Sequence, residues 1–181
     1  MKRLAAAGLL LALCAASAGC GDSTSRLLPT RYRTIYIDPF VNHIPFEQEP
    51  SDRRVGYQAN VPRLEEDVTR AVIDQFIFDG NLRITKEKAT ADLLLEGEIV
   101  DFYRDSLRKT DDDTTEEFRL NLGAHVRLQD KGGNVLFDEP RLFGDTTYVA
   151  VGGFAVPETT AVQNLVSDFS RRVVERVVEN W

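Results

Sequence analysis

The residues from which chemistry would have to be built in this 181-residue chain are two histidines, a triple aspartate, a basic cluster and a glycine pair. His43 lies in a stretch without periodicity, and His125 lies on the polar side of an alternating segment. For both, a solvated or hydrogen-bonded imidazole is the plainer reading than a general base. No H-E-x-x-H, C-x-x-C, G-x-S-x-G or phosphate-loop pattern occurs. Asp111-Asp112-Asp113 lacks the glycine and distal glutamate of a calcium loop and reads as a solvated hairpin tip. Gly152-Gly153 lacks the strand-then-helix context of a dinucleotide site and reads as a turn. The chain is therefore expected to be neither an enzyme nor a holder of metal or cofactor. Arg104, Arg108 and Lys109 gather where a long apolar-alternating run enters a hairpin. They either meet phosphates on an anionic lipid or offset Asp111 to Asp113 and the neighbouring Glu116 and Glu117.

The elements that must position these residues are legible from periodicity. From Phe118 to Leu128 every second residue is apolar: Phe118, Leu120, Leu122, Ala124, Val126 and Leu128. Between them stand Arg119, Asn121, Gly123, His125 and Arg127. A period of two specifies a strand with one buried and one wet face. A run from Leu93 to Leu107 precedes it and a run from Val135 to Phe143 follows. The acidic break at 111–113 and the turn Asp130 to Asn134 predict an antiparallel meander. Gly97 in the first run marks a bulge or a close backbone approach. Gly144 to Gly153 reads as a turn-rich return.

Earlier in the chain, the segment Tyr32 to Phe40 contains RTIYIDPF, a short strand that Pro39 ends. Val41 to Asn60, with Pro45, Pro50 and Gly56, reads as a long loop, either a partner contact or a solvated insertion. A first helix is predicted from an Asn60 N-cap with Pro62 in its first turn. Its apolar stripe is Val61, Leu64, Val68, Ala71, Val72, Gln75 and Phe76, widened by Ile73 and Ile77, and Gly80 stops it. Leu82 to Thr85 is a second short strand, so strand, helix and strand form a crossover between parallel strands. Pro157 and Glu158 open a last helix with the stripe Val162, Leu165, Val166, Phe169, Val173, Val177 and Trp181. The expected class is α+β, two amphipathic helices on one face of a mixed, largely antiparallel sheet of about four or five strands.

The N-terminus has the layout of a secretory signal: Lys2 and Arg3, an apolar run from Leu4 to Ala16, then small residues. That run is shorter than the ~20 residues that span a bilayer. Ser17-Ala18-Gly19-Cys20 resembles a bacterial lipobox. Residues 1–19 would then be a signal peptide, Cys20 the lipidation site carrying acyl chains such as palmitate, residues 20–30 a tether, and 31–181 one domain. The alternative is cleavage after Ala18, which leaves Cys20 as a free thiol. Gly21 is not the Asp of inner-membrane retention, which points to the outer membrane. With a net charge of −7, made more acidic when Lys2 and Arg3 are removed, nucleic-acid binding is not expected.

The lipobox, the tether, RTIYIDPF, ADLLLEGEIVDFYRDSL, FRLNLGAHVRLQDKGGNVLFDE and the closing RRVVERVVENW together resemble the LPS-assembly lipoprotein LptE family. The resemblance spans nearly the whole mature chain, and its order of elements fits. It implies a plug in the lumen of the LptD-type outer-membrane barrel, assisting barrel assembly and the passage of lipopolysaccharide to the outer leaflet. On this implication Arg104, Arg108 and Lys109 are the residues expected to contact lipopolysaccharide. Arg119, Asn121, His125 and Arg127 would be the barrel-facing surface, since large barrels have polar interiors. The other reading is a stand-alone periplasmic lipoprotein that serves another envelope or secretion complex.

Overall fold

The computed structural model describes residues 32–44, 61–109 and 114–179. The signal peptide, Cys20, the tether, the rest of the 41–60 stretch, Asp111 to Asp113 and Trp181 lie outside the described residues. The elements are β1 (Thr34–Ile37), β2 (Val41–Asn42), α1 (Leu64–Asp79), β3 (Arg83–Ile84), β4 (Leu93–Lys109), β5 (Thr115–Asp130), β6 (Val135–Val149) and α2 (Glu158–Val178). They form an α+β domain whose sheet has six strands, ordered β3-β1-β4-β5-β6 with β2 also paired to β4. The sheet is mixed: β1 runs parallel to β3 and β4, while β4, β5 and β6 form the antiparallel meander.

The sixth strand comes from the stretch read as loop. Val41 and Asn42 pair in parallel with Glu98 and Ile99. They continue along β4 the line that β1 begins, after an interruption at Pro39, which has no N–H to give a ladder. At the interruption Phe40 swings beneath the sheet against Gly97, where an added Cβ would lie 2.1 Å from its ring. The glycine of β4 is thus a seat for an aromatic ring. Phe40 meets Phe169 of α2 edge-on, and its N–H donates to the Thr69 hydroxyl of α1, so one residue joins all three layers of contact.

The first helix starts at Leu64, later than the predicted Asn60, because Arg63 takes a left-handed conformation (φ 66°) that cannot continue into a helix. Pro62 therefore precedes the helix. Gly80 ends it in the left-handed region, its N–H bonding the Phe76 carbonyl. Leu64, Val68, Val72 and Phe76 are buried, whereas Ile77, expected on the stripe, is 63% exposed. In α2, Leu165, Val166, Phe169, Val173 and Val177 face the same core.

The largest correction concerns β6, which runs on to Val149 where a turn-rich return was expected. Gly144 is the reason. A Cβ there would meet the Cβ, Cα and N of Phe169 at 2.7, 2.8 and 2.9 Å. The glycine lets α2 press its backbone onto the strand and does not turn the chain. The β6 edge is covered in the same place, with the Asp145 N–H donating to Asp168 of α2 and Arg172 bridging Asp168 and Asp145. Covering the edge blocks pairing with a stray strand.

At the opposite end of β4, Asp92 pins the start of β1. Its carboxylate accepts the backbone N–H groups of Arg33 and Thr34 and the Thr34 hydroxyl. Those bonds, led by the Arg33 amide, hold it below the usual carboxylate range.

Candidate partner-binding face

One face of the sheet packs on the helices, α2 against the meander and α1 against β2, β3 and α2, and the other face of the meander carries no helix among the described residues. On the bare face β5 presents Arg119, Asn121, Gly123, His125 and Arg127, flanked by β4 and β6 in known register. Register places Glu98 beside His125, Asp105 beside Arg119, and Asp138 beside Arg127. The sequence pattern shows the β5 residues but not these acidic neighbours, which come from the strands on either side.

The charges are mostly paired across strands. Asp138 of β6 gathers two of the four β5 residues: it bonds the His125 Nε2 and accepts from Arg127 Nε and Nη2 at 3.2 and 2.9 Å. The His125 hydrogen bond, and after it Arg127, hold Asp138 below the usual carboxylate range. Asn121 is buried beneath its neighbours and donates to Asp105 at 3.1 Å. Arg119 is exposed and makes no ion pair among the described residues. Further along, Gln129 donates to Glu96, Lys88 bonds Asp38, and His43 lies 3.4 Å from Glu98. Arg141 stands 3.6 Å from Asp101, which is buried, and Phe143 lies across Gly123. The face is therefore not uniformly wet: its centre is closed by Phe143 and Asn121.

The basic cluster is divided by the fold. The register between β4 and β5 shifts between Ile99 and Asp101, so Phe102 and Arg104 fall on the helix side, opposite Leu122 and Leu120. Arg104 stacks over the Phe118 ring, 4.2 Å from its centroid, and its Nη1 lies 3.4 Å from both the Tyr148 hydroxyl and Glu158 of α2. Burial raises the Tyr148 hydroxyl above its ordinary pKa. Arg108 and Lys109 stay together at the exposed end of β4, where Arg108 pairs with Glu116 at 3.2 Å. The shift had a signal in the sequence, the apolar parity changing from Leu93, Leu95 and Ile99 to Phe102.

Among the described residues no three His, Cys, Asp or Glu side chains gather to hold a metal ion. No helix among them is long and apolar enough to cross a membrane. What the face offers is a laterally paired polar surface on a sheet backed by a hydrophobic core.

The lipopolysaccharide-assembly family model LptE matches residues 32–180. The chain belongs to the LptE family. The fold is also similar to that of a protein from Xanthomonas campestris (TM-score 0.57, 10% identity, 84% of this chain and 90% of that one). A protein from Chlamydia trachomatis gives TM-score 0.54 at 13% identity over 81% of this chain and 95% of that one. A minor lipoprotein from Acinetobacter baumannii gives 0.51 at 12% identity, over 83% and 95%. At these identities the likeness concerns the fold alone. No curated protein sequence matches the chain.

Proposed function

We propose that this protein is an outer-membrane lipoprotein that acts without turnover, as plug and assembly partner of an LptD-type β-barrel delivering lipopolysaccharide to the outer leaflet. Residues 1–19 are removed, Cys20 carries the lipid, and residues 20–30 tether the domain. The observation that carries this reading is the family match over residues 32–180, on a domain whose bare sheet face is polar and paired with itself. Such a face suits a water-filled barrel lumen, where an apolar surface would be out of place. Arg119, His125 and Arg127 face the barrel, with Asn121 set beneath them. Arg108 and Lys109, at the exposed strand end, meet lipopolysaccharide phosphates, with Arg104 behind them bracing α2.

The test is affinity purification of the tagged protein from detergent-solubilised outer membranes. A stoichiometric large barrel protein that survives high salt is the expected result. Recovery of the lipoprotein alone, from cells making normal amounts of barrel, would overturn the plug reading in favour of a stand-alone envelope role.

A further inference from the structure

We propose that the row His43, Glu98, His125 and Asp138, which crosses the bare face from the end of β2 to β6, makes the grip on the barrel respond to acidity. While both imidazoles are neutral, Glu98 holds a basic side chain of the barrel wall. When they are protonated, Glu98 is neutralised in place and lets that side chain go. The inference deepens the plug reading and rests on it.

The chain has two histidines, and the fold brings both to one carboxylate. His43 follows β2, its N–H bonding the Ile99 carbonyl, and its Nδ1 lies 3.4 Å from Glu98 Oε2. On the other side of β4, Glu98 is the register partner of His125. The Nε2 of His125 bonds Asp138, which its partners hold in the ionised form. That nitrogen therefore carries the hydrogen of the neutral ring, which has no second N–H to give to Glu98. Protonation adds one.

Charge says what the partner must bring. Glu98 is half exposed, and among the described residues its ion pair is with His43 and not with a Lys or Arg. The other charges about His125 are matched: Arg127 of β5 with Asp138 of β6, and Arg141 of β6 with Asp101 of β4. Beside Glu98 along β4, Glu96 shares Lys88 with Asp38. This part of the face is therefore net negative while the histidines are neutral. A wall that covers it must supply positive charge or leave an ionised carboxylate desolvated without a counter-charge. Imidazole changes charge between about pH 5 and 8, and two protonated rings supply that charge from within the face and repel an incoming cation. The His43–Glu98 pair is exposed on both sides, so its charge state matters little to folding and acts on the partner.

In the test, the tagged full-length lipoprotein is purified with its barrel from detergent-solubilised outer membranes. It is then challenged with excess untagged lipoprotein at about pH 7.5 and about pH 5.5, and the barrel that stays on the tag is followed in time. The parent is expected to exchange about tenfold faster at the lower pH. Glu98→Gln should exchange fast at both values, and His43→Gln combined with His125→Gln should bring the ratio of the two rates near one. A parent ratio near one, with the barrel co-purified, overturns the proposal and leaves the plug reading standing. A histidine-free variant that keeps the parent's ratio places the response in the barrel and also overturns it. Recovery of the lipoprotein without any barrel overturns the plug reading and this proposal together.

Discussion

On β5, Leu120, Leu122, Ala124, Val126 and Leu128 are entirely covered, while Arg119, His125 and Arg127, each one residue away, keep solvent contact. The same three strands thus carry two surfaces with different work. The helix side excludes water, and each buried side chain there contributes about 1.5–3 kcal/mol. The bare side exchanges hydrogen bonds with water and with itself, so its pairs add little to folding and remain available to arrange a partner. The comparison teaches that stability and recognition are separable in this domain by strand parity alone.

The largest effect should come from the covered side. Phe169→Ala removes the fully buried ring that meets Phe40 edge-on, and is expected to lower stability by about 3–5 kcal/mol in denaturant unfolding. A loss under about 1 kcal/mol would mean that α2 is not seated as described.

A middle-sized effect separates two carboxylates that are both held below their ordinary range. Asp92 ties backbone to backbone, whereas Asp138 ties only exposed side chains. Asp92→Asn should cost about 1–2 kcal/mol through weakened bonds to the β1 amides. Because a folded pKa below the unfolded one stabilises only the ionised form, that contribution is present above about pH 4 and fades as pH falls further. The parent should lose stability on acidification more steeply than Asp92→Asn, measured by unfolding at a series of pH values. Asp138→Asn should leave the unfolding midpoint at neutral pH nearly unchanged.

The smallest effect on folding, and the sharpest on recognition, is expected from Arg119→Glu. With no ion pair to break among the described residues, its thermal unfolding should fall only slightly, through the new charge opposite Asp105, while recovery of the barrel partner in affinity purification should drop sharply. Unchanged recovery for both Arg119→Glu and Arg127→Glu would take the bare face out of the proposed contact.

Much of this architecture was legible in one dimension. The alternation of β5, the helical stripe of α2, the stop at Gly80 and the Asp130 to Asn134 turn are local patterns, and the folded chain keeps each of them. The failures were non-local. Gly144 reads as a turn residue until Phe169 is known to press against it. Arg104 reads as part of a surface cluster until the bulge after Ile99 rotates it under the sheet. Ile77 belongs to the helical period, yet at the last turn of α1 no element among the described residues lies over it.

The sequence by itself determined which side chains share a strand face and where the helices stop, because periodicity and backbone conformational preference act over a few residues. Only the tertiary structure decided which carboxylate meets which cation. Asp138 finds His125 and Arg127, Glu158 finds Arg104, and Asp145 on the edge of β6 finds Arg172. Those pairings depend on strand register, on one bulge and on the seating of α2, and each is set by packing between segments far apart in the chain.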